Sequence, residues 1–318
     1  MPQSCDLLIL GAGPAGLAAG IYGARAGLKT LVVAEMLGGM AAEATSVENY
    51  PGFTQISGFE LMEKMRTQAE LCGTTLRSPE TIIDMVLEGE EKKVKTDVDV
   101  YSTKALIIAT GCAHRKLGVP GEEEFRGRGV SYCATCDGRF FKGKRVMVVG
   151  GGNTAVHEAL YLKELAGKIY LTHRRSDLRA DATLKRRILE CGVEVLLNSE
   201  VRSIEYKDQV KLVRIRNNET GEEKTVEVDG VFISIGVAPR SEEAKKAGVS
   251  TDPDGFILAN KNQETNIKGV YAAGNVTASV HQIGVAVGEG ITAAVNAYLH
   301  VNSGWYGKQC EPARPTDR

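Results

Sequence analysis

The feature that most constrains this chain is a plan that it uses twice. An apolar strand runs into a glycine-rich turn, a helix follows, a glycine stops the helix, and a second strand leaves. The first copy is CDLLILGAGPAGLAAGIYGARAGLKTLVVAE, residues 5–35. LLIL reads as a buried parallel strand. Gly11, Gly13 and Gly16 make G-x-G-x-x-G, Gly27 ends the helix, and Glu35 closes the second strand, 19 residues after Gly16. In that context the pattern is the dinucleotide fingerprint: the glycines allow a tight turn and close approach of backbone N–H groups to a pyrophosphate, and the acid receives a ribose hydroxyl.

The second copy is KRVMVVGGGNTAVHEALYLKELAGKIYLTHRR, residues 144–175. Gly150, Gly152 and Ala155 make G-x-G-x-x-A, and Gly167 separates the helix from the strand KIYLTH. The acid at the strand end is absent. His173, Arg174 and Arg175 stand there instead, with Arg179 four residues on. A carboxylate repels a ribose 2′-phosphate, whereas guanidinium groups bind one. The first unit therefore suits a cofactor with a free ribose, and the second suits NADP. Each copy continues into another apolar strand that ends in glycine, ALIIATG (105–111) and GVFISIG (230–236). GVYAAGNV (269–276) and the helical GVAVGEGITAAVNAYL then complete the first unit late in the chain.

The expected fold class is therefore α/β, with two Rossmann-like dinucleotide-binding domains, the second inserted into the first. The expected boundaries are 1–113, 114–244 and 245–318. Glycine, proline and charge mark linkers near 114–127 and 236–248. A chain of 318 residues is long enough for two cores, and a net charge of −1 offers no basic field to nucleic acid. No secretory signal opens it and no apolar run is long enough to span a bilayer, so a cytoplasmic, non-membrane protein is expected.

Between the two copies lies SYCATCDGRFF, residues 131–141. The seven cysteines are odd in number and scattered, which is not a secreted disulfide framework. Only Cys133 and Cys136 are neighbours. A structural zinc site normally needs a second pair or nearby histidines, and neither follows, so no metal is expected. A C-x-x-C pair permits a short-loop disulfide and often lowers one thiol pKa. Asp137 follows directly, and a carboxyl beside thiols can take and return protons; it can equally be a turn residue before Gly138. Two nucleotide sites imply electron transfer between two cofactors, and a flavin in the first unit is the usual relay from NADPH to a thiol pair.

On these residues the chain resembles the low-molecular-weight thioredoxin reductases over nearly its full length. The likeness rests on GAGPAG (11–16), GGM after Glu35, VENYPGF (47–53), ATG (109–111), CATCDG (133–138), GGGNTAVHEALYL (150–162), HRRSDLRA (173–180) and GVYAAGN (269–275). The resemblance implies a homodimer with one FAD and one redox disulfide, Cys133–Cys136, per subunit. Hydride passes from NADPH to FAD and electrons then to the disulfide, and the dithiol reduces a thioredoxin-like protein. It also implies Cys136 as the flavin-proximal sulfur, Asp137 as the acid-base residue, and a rotation of the NADPH domain that alternates the two half-reactions.

The implied FAD contacts are Gly11, Gly13, Ala15, Gly16, Glu35, Gly38, Gly39, Met40 and Asn49. Thr110, Gly111, Gly274, Asn275, His281, Gln282 and Ile283 join them. The implied NADPH contacts are Gly150, Gly152, Asn153, Thr154, Ala155, His173, Arg174, Arg175, Arg179 and Gly236. Two positions depart from the family pattern: Asn275 stands where aspartate is usual, and His281 where arginine is usual. Asn275 keeps an acceptor oxygen but loses the charge. Cys310 is a single cysteine in a polar tail and cannot form a second redox pair; Cys5, Cys72, Cys112 and Cys191 are expected to be packing residues. Two alternatives stay open: a related flavin disulfide reductase fed by ferredoxin or a deazaflavin, and a flavin redox sensor without turnover.

Overall fold

The computed structural model describes residues 2–44, 46–207 and 210–303; the tail cysteine Cys310 lies outside them. The chain divides into two compact units, one of residues 1–44, 50–113 and 238–318, the other of residues 45–49 and 114–237.

The first unit is built on a seven-stranded sheet. Its central strand, Gln3–Ala12, pairs in parallel with Thr30–Leu37 on one side and Val100–Ile108 on the other. Leu7, Leu8, Ile9 and Leu10 have no exposed surface, because both faces of a parallel strand are covered. Their alternation sorts them. Leu8 and Leu10 join a cluster with Val33, Ile108, Ala244 and Ile257. Ile9 and Leu7 instead approach Gly16 and Gly23 of the helix Pro14–Arg25. At ~1.5–3 kcal/mol per buried aliphatic side chain, this one strand anchors the unit. Val270–Ala272 adds in parallel beside Leu106–Ile108, and the helix Ile283–Val301 packs on Pro14–Arg25 so closely that Gly290 abuts the Ala15 backbone.

The second unit has three layers. Its five-stranded parallel sheet runs in the order Glu194–Leu196, Lys168–Thr172, Arg145–Val149, Gly230–Ile233, Val130–Ser131. Val146 and Val148 face a cluster made with the helices Asn153–Lys163 and Ala182–Glu190. Met147 and Val149, one residue out of phase, face a three-stranded antiparallel sheet of Ser199–Lys207, Val210–Asn217 and Glu223–Val228. The period of two along one strand thus divides its side chains between a helical layer and a sheet layer.

The expected linker at 114–127 is a folded part of the second unit. The buried Glu122 carboxylate accepts the Leu117 and Gly118 N–H groups at 2.9 and 2.8 Å and the Tyr132 hydroxyl at 2.7 Å. Likewise, the stretch expected as a linker at 236–248 contains the helix Glu242–Lys246, whose Ala244 lies in the core of the first unit. Glycine and proline there mark tight turns, not slack chain.

Candidate redox and dinucleotide sites

In the first unit, the glycine turn between Gln3–Ala12 and Pro14–Arg25 separates two kinds of constraint. Gly11 has φ +109°, and a β-carbon on it would strike the Ala109 carbonyl; one on Gly16 would strike the Gly11 carbonyl. These two glycines are demanded by the protein itself. Gly13 is different: its backbone is extended, and the nearest atom to an added β-carbon is the Gly38 oxygen at 3.9 Å. Space is therefore kept at the mouth of the turn, where the helix has no side-chain cap and no acid in its first turn. Gly38 N–H donates to the Ala12 carbonyl at 2.8 Å, which folds Gly38–Gly39 back over Gly13. A pyrophosphate fits such a cradle.

Around it stand several of the expected residues. Glu35, expected to close its strand, lies two residues before the end of Thr30–Leu37 and pairs with Arg240 at 3.1 Å. Arg240 is tied down in turn: its N–H donates to Gly111 O at 3.0 Å, and Thr110 Oγ donates to its carbonyl at 2.6 Å. Met40 Sδ lies 3.8 Å from the Cys112 thiol, which also bonds the Asn275 side chain. Gly274 N–H donates to Glu289 at 2.7 Å. His281 rests on the Phe256 ring, with centroids 5.7 Å apart, and burial holds its imidazole below the ordinary range, so it is uncharged at neutral pH. Gln282 occupies the N-cap position of the helix Ile283–Val301, with extended backbone and no side-chain cap bond. Asn49, expected with this group, lies in the segment 45–49 that clusters with the second unit. Cys5 and Cys112 are buried, whereas Cys72 and Cys191 are only partly so.

The second unit repeats the first arrangement with a different rim. A β-carbon on Gly150 would meet the Ser234 carbonyl and Ala155 Cβ, and one on Gly151 the His173 ring, whereas Gly152 has open space. The loop after strand Lys168–Thr172 is stitched to this turn by Arg179 N–H, which donates to Gly151 O at 2.6 Å. Asn153 and Asp181 bond each other twice, at 2.8 and 2.9 Å. The guanidinium-bearing residues Arg174, Arg175 and Arg179 are exposed on this loop, and His173 is buried between it and the turn. Burial, then the three arginines, depress the His173 pKa, and its Nε2 has no hydrogen-bond partner among the described residues. A cationic, neutral-imidazole rim of this kind fits a phosphorylated ribose.

The cysteine pair belongs to the second unit as well. The strand Val130–Ser131 leads into a short helix, Ala134–Asp137. Cys133 and Cys136 are joined as a disulfide with Cα atoms 5.3 Å apart, and both are partly exposed. Cys133 Sγ accepts the Cys136 N–H at 3.2 Å. Asp137 packs under the turn; burial raises its pKa and a hydrogen bond from Ser131 lowers it. One of its oxygens, Oδ2, accepts from Ser131 Oγ at 2.7 Å; the other, Oδ1, is buried without a partner among the described residues. On the far side of the turn Glu158 accepts hydrogen bonds from Ser234 and from the Ala134 N–H, and burial raises its pKa. Ser131, Glu158, Ser234, Glu122 and Arg240 were not singled out from the sequence. Only Glu158 carries a faint signal there: an acid set among the apolar positions of its helix.

The comparisons with known proteins agree with this geometry. The family described as pyridine nucleotide-disulphide oxidoreductase matches residues 5–290. The thioredoxin reductase of Bacillus subtilis (strain 168) is 43% identical over 93% of this chain and 94% of its own length. That of Listeria innocua serovar 6a (strain ATCC BAA-680 / CLIP 11262) is 42% identical over 93% of both. The crystal structure of thioredoxin reductase from Streptococcus pyogenes MGAS5005 superposes with a TM-score of 0.88 at 38% identity, covering 95% of this chain and 100% of that one. With both glycine turns, the arginine rim and the cysteine pair in one chain, this protein belongs to the pyridine nucleotide-disulphide oxidoreductase family, in its low-molecular-weight thioredoxin reductase branch.

Proposed function

We propose that this chain uses NADPH to reduce a thioredoxin-like protein through the Cys133–Cys136 disulfide, with FAD as the resident cofactor. The observation that carries the reading is the disulfide of the second unit, next to a half-buried carboxyl, in the same unit as the arginine-rimmed glycine turn. The open space at Gly13 and the bare helix start beyond it suit the FAD pyrophosphate, with Glu35 for a ribose. Gly152 and the residues Arg174, Arg175 and Arg179 suit NADPH and its 2′-phosphate. When bound, FAD supplies two-electron transfer between nicotinamide and disulfide.

The protein's own part is proton handling and exchange. Reducing the disulfide takes up two electrons and two protons. One sulfur of the resulting dithiol then attacks the partner's disulfide as a thiolate, and the other resolves the mixed disulfide, so that the partner leaves as a dithiol. Burial raises the pKa of Asp137, the carboxyl that follows Cys136 in the chain, which suits it to hold and return a proton. The arginine rim favours NADPH over ferredoxin or a deazaflavin, neither of which carries a ribose 2′-phosphate for it to hold.

A homodimer and a cytoplasmic location go with this reading. No helix among the described residues is long and apolar enough to cross a membrane. The test is direct: purify the chain, record its visible spectrum, and follow NADPH consumption with a panel of small redox proteins. A yellow protein, bleached by NADPH and reoxidised by a thioredoxin, is expected. A flavin-free chain, or a disulfide that stays oxidised under excess NADPH, would overturn the reading.

A further inference from the structure

We propose that Ser131 is the positioning residue of the redox turn: it holds Asp137 through Oδ2 so that Oδ1 is the atom that gives and takes the proton at the sulfurs. The inference rests on the exchange chemistry proposed above and assigns the atom that carries it.

The geometry begins with the strand. Ser131 pairs in register with Phe232, and is almost wholly buried, so its hydroxyl has few choices. It accepts the Cys133 N–H at 3.1 Å and lies 2.7 Å from Asp137 Oδ2. The alternative acceptor for its single proton, the Cys133 carbonyl, is at 3.4 Å. A hydroxyl has one proton to give, and the shorter bond to a carboxylate is the stronger. The chain Cys133 N–H to Ser131 Oγ–H to Asp137 Oδ2 thus ties the first redox cysteine to the acid by two hydrogen bonds.

Its consequence lies at the other oxygen. Oδ2 is occupied as an acceptor, while Oδ1 is buried with no partner among the described residues. With Oδ2 taken up by the Ser131 hydroxyl, Oδ1 is the oxygen left open to a proton. The proton therefore resides on Oδ1. Burial and Ser131 are the two influences on Asp137. The charged neighbours of the turn are engaged elsewhere: Glu158 with Ser234 and the Ala134 N–H, and Arg139 with Glu48. The Tyr132 hydroxyl is given to Glu122.

The test isolates this step from the source of electrons. The FAD-loaded protein is reduced with dithiothreitol, desalted, and mixed with 2-hydroxyethyl disulfide, a probe whose leaving thiolate needs a proton. The protein dithiol becomes a disulfide and the probe becomes two thiols. The rate is followed from acid to alkaline pH. Ser131→Ala is expected to slow exchange about tenfold and to move the limb assigned to Asp137 up by about one unit, the value of one lost charged hydrogen bond. Ser131→Thr, which keeps the hydroxyl, restores the wild-type limb. Asp137→Asn abolishes the limb, and adding Ser131→Ala to it slows exchange no further.

Two results overturn the proposal: an unmoved limb in Ser131→Ala, or effects that multiply in the double variant. Should Ser131→Ala fail to fold, the contrast of Ser131→Gly with Ser131→Thr carries the same comparison, and equal limbs in the two refute it. A protein that exchanges after dithiothreitol but not after NADPH sinks the proposed donor and leaves the Ser131 result standing.

Discussion

Replacing Arg174 and Arg175 together by alanine tests the cofactor assignment most sharply. Both residues are exposed on the loop beside the second glycine turn. Their backbones are held independently of their side chains: Asn218 Nδ2 donates to Arg174 O at 3.0 Å, and Asn198 N–H to Arg175 O at 2.9 Å. Alanine therefore removes two guanidinium groups and leaves the loop path intact. A hydrogen bond to a charged group contributes about 1.5–3 kcal/mol, and exposure argues for the lower end, so two amount to about 3 kcal/mol. At 1.4 kcal/mol per tenfold, the KM for NADPH should rise about 100-fold. NADH lacks the 2′-phosphate and should lose about threefold or less, the residue of a weaker general field. Steady-state kinetics with each nucleotide, at two ionic strengths, would read both effects. The NADPH advantage of the wild type should also shrink with salt. Equal losses for NADPH and NADH would refute the reasoning and return the arginines to a solvated surface patch.

Four further substitutions, one of them with a companion, read the geometry elsewhere. Gly16→Ala should yield little folded protein, because its β-carbon meets the Gly11 carbonyl; Gly13→Ala should fold with an unchanged melting curve yet bind FAD about tenfold more weakly, seen by quenching of flavin fluorescence. Asp137→Asn should raise the melting temperature by a few degrees at alkaline pH. The folded-state pKa of Asp137 is raised, so wild-type stability falls as pH climbs above the ordinary aspartate value of 3.8; the gap between the two proteins should close as pH returns to it. Asn275→Asp should weaken FAD binding about tenfold, since it adds a carboxylate next to Gly274, whose N–H already serves Glu289; a companion His281→Arg should recover most of the loss.

The two glycine turns were legible because each demand is local. Gly11, Gly16 and Gly150 sit where a β-carbon has no room, and no other residue type satisfies that, so the letters reveal the geometry. The contrast of Glu35 with His173, Arg174 and Arg175 is a difference of charge and is read directly from the letters. The sheet layer on the second unit was not read, although its signal is present. Val213 and Ile215, then Val226 and Val228, alternate with polar residues and face one cluster. The change of unit at 113/114 falls where a linker was expected, but the fold of 114–127 was not read, because glycine and proline look alike in a linker and in a folded loop. The Glu122 carboxylate that folds it is one acid among 40 acidic residues. Ser131 was invisible on other grounds: its bond to Asp137 spans six residues and depends on a strand register that only the folded sheet supplies.

The two departures from the family pattern are best understood as one change. Aspartate to Asn275 removes a negative charge, and arginine to His281 removes a positive one, because burial keeps that imidazole neutral. Either alone would leave an unbalanced charge in a partly buried region, which costs more than losing both. Both replacements have neutral company: Asn275 bonds the Cys112 thiol and His281 rests on the Phe256 ring. Glu289 remains as the acid common to the neighbourhood, accepting the Gly274 N–H and drawing the His281 pKa weakly upward. The thiol of Cys112 is lifted by burial, donates to Met40 Sδ at 3.8 Å, and is drawn back down by its hydrogen bond with the Asn275 side chain. A neutral amide and a neutral imidazole thereby stand at the two positions, and neither adds charge beside the cofactor that the first unit is proposed to hold.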